Sequence, residues 1–315
     1  MKKRIILVLL LCSLLLLSCR GRVAAGDSPT NTEAALRQLQ TGTQGIELTL
    51  VPNYPPATVY DQNQLIALVE LHNRGDDDMD PQDCFVQVTG FDPNIIRGGI
   101  QTTRSCAENA GMLEGRNVYN LEGGFNQLEF SSSNIVLPNG VFEYNPQLNF
   151  VTCYNYHTKA SPQVCVDPLL YQVTSEQKTC NPTDIGMGGG QGGPVGVSNI
   201  GVDMVGNKAI FEINVQNYGS GRVLSPNADI RSCGQISLDY QDLDKVEYTV
   251  DLSGGTLIDC KPQDRIVRLS NNRGKIVCSF DIPGGSSFQT PLIIDLDYSY
   301  IQSYLKPVKI IKTPQ

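Results

Sequence analysis

The sequence predicts an all-β chain made of two tandem β-sandwich domains, and three observations carry that expectation. First, residues 65–71 alternate so that Leu65, Ala67, Val69 and Leu71 share one strand face, and the run stops at Asn73-Arg74-Gly75. Second, the pattern returns at Ala209 to Val215 and stops at Asn217-Tyr218-Gly219, an offset of 144 from Asn73 to Asn217. Tyr154-Asn155-Tyr156 and Tyr298-Ser299-Tyr300 keep the same offset, and Val164 and Val166 are answered by Val308 and Ile310. Third, short apolar runs recur between Gly, Pro and Asn turn signals, the spacing of a sandwich rather than of helices.

In order along the chain, Lys2-Lys3-Arg4 is a basic head and Ile5 to Leu17 is almost purely apolar. That is the pattern of a secretory signal, and the run is shorter than the roughly 20 residues of a spanning helix. Leu16-Leu17-Ser18-Cys19 resembles the lipobox of bacterial-type lipoproteins. The resemblance implies a signal peptide over 1–18 and a diacylglyceryl thioether on Cys19, a membrane anchor outside the cytoplasm. Residues 19–44 read as a tether, with a short helix over 30–40 opened by a Thr30/Glu33 capping box.

The first domain is expected over 45–180. Its strands are placed at 45–51, 65–71, 84–90, 125–130 and 141–144, with 98–124 mostly loop. A closing hairpin is expected between 149–158 and 163–166. Residues 181–194 are Gly-rich and read as a flexible linker; neither a Gly-Lys-Ser/Thr signature nor a following helix accompanies them, which argues against a phosphate loop. The second domain is expected over 195–315, with strands at 195–202, 209–217, 236–240, 246–250, 264–269, 274–280, 292–300 and 308–312. Asn271 and Asn272 sit where a turn needs positive φ.

A strand ending in Asn-x-Gly, placed second in an all-β unit, resembles the CARDB and NPCBM-associated group of immunoglobulin-like domains, best over 46–75 and 195–220. The resemblance implies two tandem immunoglobulin-like domains of the kind carried by archaeal and bacterial surface proteins.

The net charge is −8, and loss of the basic head would make it more acidic. An acidic surface repels phosphate backbones, so nucleic acid is not an expected partner. Beyond Cys12 and Cys19, the cysteines are Cys84, Cys106, Cys153, Cys165, Cys180, Cys233, Cys260 and Cys278. An even number in an exported chain predicts disulfides. Cys260–Cys278 flank one hairpin, Cys84–Cys106 would close the Gly-rich loop, and one bridge is expected to cross the joint as Cys180–Cys233. With no Cys-x-x-Cys and only two histidines, neither a metal nor a cofactor is expected.

Asp76, Asp77, Asp78 and Asp80 read as a solvated acidic loop, with a weak calcium site as the alternative. No Gly-x-Ser-x-Gly elbow accompanies His72 or His157. The expectation is therefore a non-enzymatic, membrane-anchored surface lipoprotein serving as a structural or protein-interaction module. The alternative is a glycan or cell-wall binder using Tyr54, Tyr119, Tyr144, Tyr171, Tyr240 and Tyr304, with strand positions as their plainer reading.

Overall fold

The computed structural model describes residues 42–172, 177–232, 234 and 238–314. The signal peptide, Cys19 and the helix expected over 30–40 lie outside the described residues.

The first half contributes β1 (Ile46–Leu50), β2 (Thr58–Tyr60), β3 (Ile66–Asn73), β4 (Cys84–Thr89), β5 (Ile96–Arg97) and β6 (Arg104–Ser105). It continues with β7 (Phe125–Ser131), β8 (Asn134–Ile135), β9 (Glu143–Tyr144), β10 (Gln147–Ala160) and β11 (Gln163–Val166). The second half begins with β12 (Ile185–Gly186), β13 (Val195–Val205), β14 (Lys208–Asn217), β15 (Arg222–Leu224) and β16 (Lys245–Leu252). It ends with β17 (Thr256–Lys261), β18 (Ile266–Arg268), β19 (Arg273–Asp281), β20 (Phe288–Pro307) and β21 (Lys309–Ile311).

The chain is all-β, and the alternation read from the sequence is the burial pattern observed. In β3, Ala67, Val69, Leu71 and Asn73 point inward, and β14 repeats this with Ala209, Phe211, Ile213, Val215 and Asn217. One large sheet runs in the order β18-β16-β20-β10-β4-β6, with β11 and β15 also pairing with β20. A three-stranded sheet β1-β3-β7 and a five-stranded sheet β12-β13-β14-β19-β17 share one continuous apolar core with it. Burying both sheets' inner faces against the large sheet is the main stabilising term.

The two halves meet along β10 and β20, which pair antiparallel over their full contact from Gln147↔Pro307 to Ala160↔Ile294. Tyr154 faces Tyr300, Asn155 faces Ser299 and Tyr156 faces Tyr298. Because equivalent residues are 144 apart, this register generates a pseudo-two-fold axis through the Asn155–Ser299 pair. The last strand of each half crosses that axis: β11 adds to β20 with Val166↔Phe288, and β21 adds to β9 with Ile310↔Tyr144. Both partners in the second pair are the first pair shifted by 144, so the exchange is reciprocal. β21 also pairs parallel with β2. Asp61 then fastens the chain end by accepting from Thr313 N at 2.6 Å and Thr313 Oγ1 at 2.7 Å.

This differs from two sandwiches joined by a linker. β10 and β20 outrun the strands available within their own halves, and each supplies the edge that the other lacks. The hairpin expected between 149–158 and 163–166 does not form, because β11 turns away to β20. Within the expected linker, Gly190 to Pro194 are buried and β12 pairs with β13, so that part is packed against the fold. The second-half turn at Asn271 and Asn272 does take positive φ, but its flanking strands diverge, β18 into the large sheet and β19 into the five-stranded one. The strand expected at 236–240 is not found over its described part; Tyr240–Asp242 forms a 3-10 turn capped by Asp239.

Candidate functional site

The Asn-x-Gly turns are built alike in both halves. Asn73 Oδ1 accepts from Gly75 N at 3.2 Å and its Nδ2 donates to Asp77 O at 2.6 Å. Asn217 Oδ1 accepts from Gly219 N at 3.1 Å and its Nδ2 donates to Gly221 O at 3.0 Å. A buried Asn satisfied on both atoms fixes each turn against a tyrosine. A Cβ at Gly75 would collide with Tyr156 Oη, and one at Gly219 with Tyr300 Oη.

Those tyrosines form a buried ladder astride the axis. Tyr154 and Tyr300 have ring centroids 5.6 Å apart, and Tyr156 and Tyr298 5.8 Å. Their hydroxyls hold the segments above them. Tyr300 Oη accepts from Gly221 N at 2.8 Å, and Val195 N donates to Tyr298 Oη at 3.1 Å. Burial pushes the hydroxyls of Tyr154, Tyr156 and Tyr298 well above their usual value and that of Tyr300 to about 12, so all four stay protonated donors.

On either side of the ladder the two-fold is broken. On one side, Gly190 to Pro194 fills the space above the sheet. Tyr156 Oη donates to Gly192 O at 2.6 Å, Thr158 Oγ1 bonds Tyr298 Oη at 2.9 Å, and Gly193 lies so close to Thr158, Tyr156 and Tyr298 that no Cβ would fit. On the other side the described residues leave a cavity of about 450 Å³ between the sheet and β1, within the roughly 300–1,000 Å³ of small-molecule sites. Phe150, Thr152, Tyr154 and Tyr300 form its floor; Tyr218, Tyr304, Ser220 and Gln44 stand toward its mouth. Gln302 donates its amide to Ile46 O across the roof.

The repeat supplies an internal comparison for each lining residue. Thr152 pairs with Gln302, and Phe150 with Tyr304. The equivalent pairs on the closed side are Leu296 with Thr158 and Ile294 with Ala160. The open side thus carries Thr, Gln and Tyr where the closed side carries Leu, Thr and Ala. Thr152 is fully buried, yet its hydroxyl has no hydrogen-bond partner among the described residues. Leu296, in the same place, is ordinary core.

A second, smaller cavity of about 340 Å³ lies around Asp77, Asp83, Asn155, His157 and Asp297. His157 Nδ1 bonds Asp297 Oδ1 at 2.8 Å, its Nε2 lies 3.2 Å from Asp295, and its backbone N donates to Asp77 Oδ2 at 2.8 Å. The Asp297 bond, with Asp295 and Asp77 nearby, raises the His157 pKa. Burial of the carboxyl pushes Asp76 up to about 6, although part of its side chain stays open to solvent. Asp76, Asp78 and Asp80 of the acidic loop are exposed, as expected of a solvated loop, and the loop is also tied to the fold, because Asp77 holds His157 and Asp78 accepts from Gly115 N at 2.7 Å. Among the described residues no group of three such side chains converges to hold a metal. His72 lies against Phe125, ring to ring at 4.7 Å.

Of the six tyrosines singled out in the sequence, Tyr304 lines the open cavity. Tyr119, Tyr171 and Tyr240 are largely exposed on separate loops, so no single platform gathers them. Disulfides join Cys84–Cys106, Cys165–Cys180 and Cys260–Cys278. The bridge expected across the joint is corrected: Cys180 pairs with Cys165, which lies 15 residues earlier and within its own half. Cys153 is also disulfide-bonded, and Cys233 lies outside the described residues. These bridges place the chain in an oxidising, extracytoplasmic compartment. Among the described residues no helix is long and apolar enough to cross a membrane.

The sequence matches no family model and no curated relative. Among solved structures, the secreted serine protease VesC from Vibrio cholerae is similar over 90% of this chain and 54% of that one, with 12% identity and a TM-score of 0.19. The chain spans about half the length of that protein. The expectation of a non-enzymatic chain is corrected by this match to a protein named as a protease, and it is not carried forward. At such a TM-score the likeness is no argument for proteolysis either.

Proposed function

We propose that the chain is an extracytoplasmic binding module, tethered to a membrane through lipid on Cys19, whose ligand enters the cavity beneath β1. One observation carries this reading: the polar floor residue Thr152, buried with an unpartnered hydroxyl, stands where the closed half places Leu296. A fold that can fill this position with Leu gains nothing in stability from a hydroxyl there. Sedimentation of the purified Cys19→Ser protein, which lacks the lipid tether, with isolated cell envelopes tests the reading. Thr152→Leu should reduce the bound fraction; undiminished binding contradicts the site. Cys19→Ser should release the protein from the membrane fraction, and retention contradicts the lipid tether.

A protein partner is the second reading, favoured by the loop around Tyr119. Asn117 Oδ1 accepts from Tyr119 N at 2.8 Å and Asn120 N at 2.9 Å, and Glu114 accepts from both Asn117 and Asn120 side chains. The loop is thereby held rigid while Tyr119 is 96% exposed. A rigid exposed aromatic is an economical anchor for a partner. Loss of envelope binding on Tyr119→Ala but not on Thr152→Leu would favour this reading.

A further inference from the structure

The cavity beneath β1 points to a ligand class, and we propose that it takes a neutral, polyhydroxylated ring: one residue of a saccharide. This rests on the cavity being the ligand site, as argued above.

Charge narrows the class first. Among the described residues Glu47 is the single charged side chain lining the cavity, and Arg74 already holds it at 2.8 Å. Among the described residues no Lys, Arg or His lines the space, so a phosphate, sulfate or carboxylate would be desolvated there without a counter-charge from them. A cation would meet a carboxylate that is already paired.

The remaining lining chemistry fits a sugar. Thr152, Ser220, Gln44 and Gln302 offer hydroxyls and amides that both donate and accept. A ring carrying several hydroxyls needs that mixture, since each hydroxyl is donor and acceptor at once. Tyr218 and Tyr304 flank the mouth, with Tyr304 44% exposed. Their electron-rich faces match the C–H faces of a pyranose, while their hydroxyls remain available at the rim. Size agrees, because about 450 Å³ accommodates one or two sugar rings and excludes a folded partner.

The buried Thr152 hydroxyl is the independent observation. It is a hydrogen-bonding group beneath the floor, closed to solvent and with no partner among the described residues, and a ligand hydroxyl satisfies it once the floor side chains shift to admit one. The closed half shows the arrangement without a ligand site: Leu296 replaces Thr152, Ala160 replaces Tyr304, and Gly192 and Gly193 occupy the space. Two of these differences, Thr152 toward polarity and Tyr304 toward aromatic surface, fall on the side that the described residues leave open.

An array of neutral and charged glycans, followed by calorimetric titration of the best neutral oligosaccharide, tests the proposal. Wild-type protein should bind neutral glycans. Thr152→Leu and Tyr304→Ala should each weaken binding by at least about tenfold, as expected for lost central contacts. Thr152→Leu installs the side chain that the other repeat already accommodates, and a cooperative unfolding transition checks that it folds. Binding confined to sialylated, uronic-acid or phosphorylated glycans overturns the neutral class. Neutral binding that neither variant weakens overturns the cavity as its site. No glycan binding, with envelope binding still lost in Thr152→Leu, overturns the saccharide assignment while leaving the binding module standing. Absence of both kinds of binding overturns both.

Discussion

Ser299 Oγ lies 2.8 Å from Asn155 Oδ1, and the two residues are equivalent positions of a repeat, 144 apart in sequence. They face each other at the centre of the β10–β20 pairing. A hydrogen bond between a residue and its own repeat equivalent is possible only on the two-fold axis. It marks the point about which one half of the molecule is turned onto the other. The axis also makes each half a control for the other.

Thr152→Val should stabilise the unliganded protein by about 1 kcal/mol, because it removes a buried hydroxyl with no partner while keeping the shape. Urea denaturation with an unchanged slope is the measurement. A loss of stability would mean that the hydroxyl is satisfied in solution, and would weaken the case for the cavity.

Asn73→Ala and Asn217→Ala should each destabilise by about 2 kcal/mol. Each asparagine is buried and bonds both arms of its turn, so truncation strands backbone groups in the interior. Asn73 also donates to Leu113 O at 3.1 Å, so its loss should cost the more of the two. Denaturation midpoints for the pair check this, and a neutral result at either site contradicts the turn's role.

Much of this was legible before the structure, and particular residues show why. The offset of 144, the Asn-x-Gly stops and the Cys84–Cys106 and Cys260–Cys278 pairs are local patterns: alternation, turn chemistry and short loops. The shared sheet was not legible, because a strand does not announce its partner; Tyr154 and Tyr300 read the same whether they face each other or lie in separate domains. Gly190 to Gly193 read as linker because composition shows flexibility and not the close approach that a missing Cβ permits between Tyr156 and Tyr298. The cavity did leave a trace. Aligned at 144, Thr152 meets Leu296 and Tyr304 meets Ala160, a contrast visible in the sequence once the axis gives it meaning.

Stability should fall as pH rises above about 4. The folded pKa of His157 is raised by its bond to Asp297, so its contribution is complete below the unfolded value of about 6.5 and is lost as pH climbs through the folded one. Asp76, raised to about 6 by burial of its carboxyl, acts in the same direction: its contribution is present below 3.8 and lost as pH rises through about 6. Solvent around both groups screens the effect. Asp61 acts oppositely, since hydrogen bonds from Thr313 lower its pKa and its contribution disappears as pH falls below 3.8. Denaturation midpoints across pH should therefore peak near about 4, declining first toward about 6 as Asp76 ionises and again above about 6.5 as His157 loses its proton. In His157→Asn the decline above pH 6 should flatten; an unchanged profile contradicts the assignment.

Removing the Cys84–Cys106 bridge by paired Ser substitution should cost about 3 kcal/mol, the loop-closure value for a separation of 22 residues. Removing Cys165–Cys180, with a separation of 15, should cost about the same. Thermal denaturation under non-reducing conditions reads both, and peptide mapping should recover Cys165 bound to Cys180. Recovery of Cys180 bound to any other cysteine contradicts the structure.

Whether the halves are one body is read most directly by scanning calorimetry of the mature chain. Because β10 and β20 share a sheet and β11 and β21 exchange across the axis, a single transition is predicted, with equal calorimetric and van't Hoff enthalpies. Two resolved transitions, each carrying the enthalpy of one half, would contradict it.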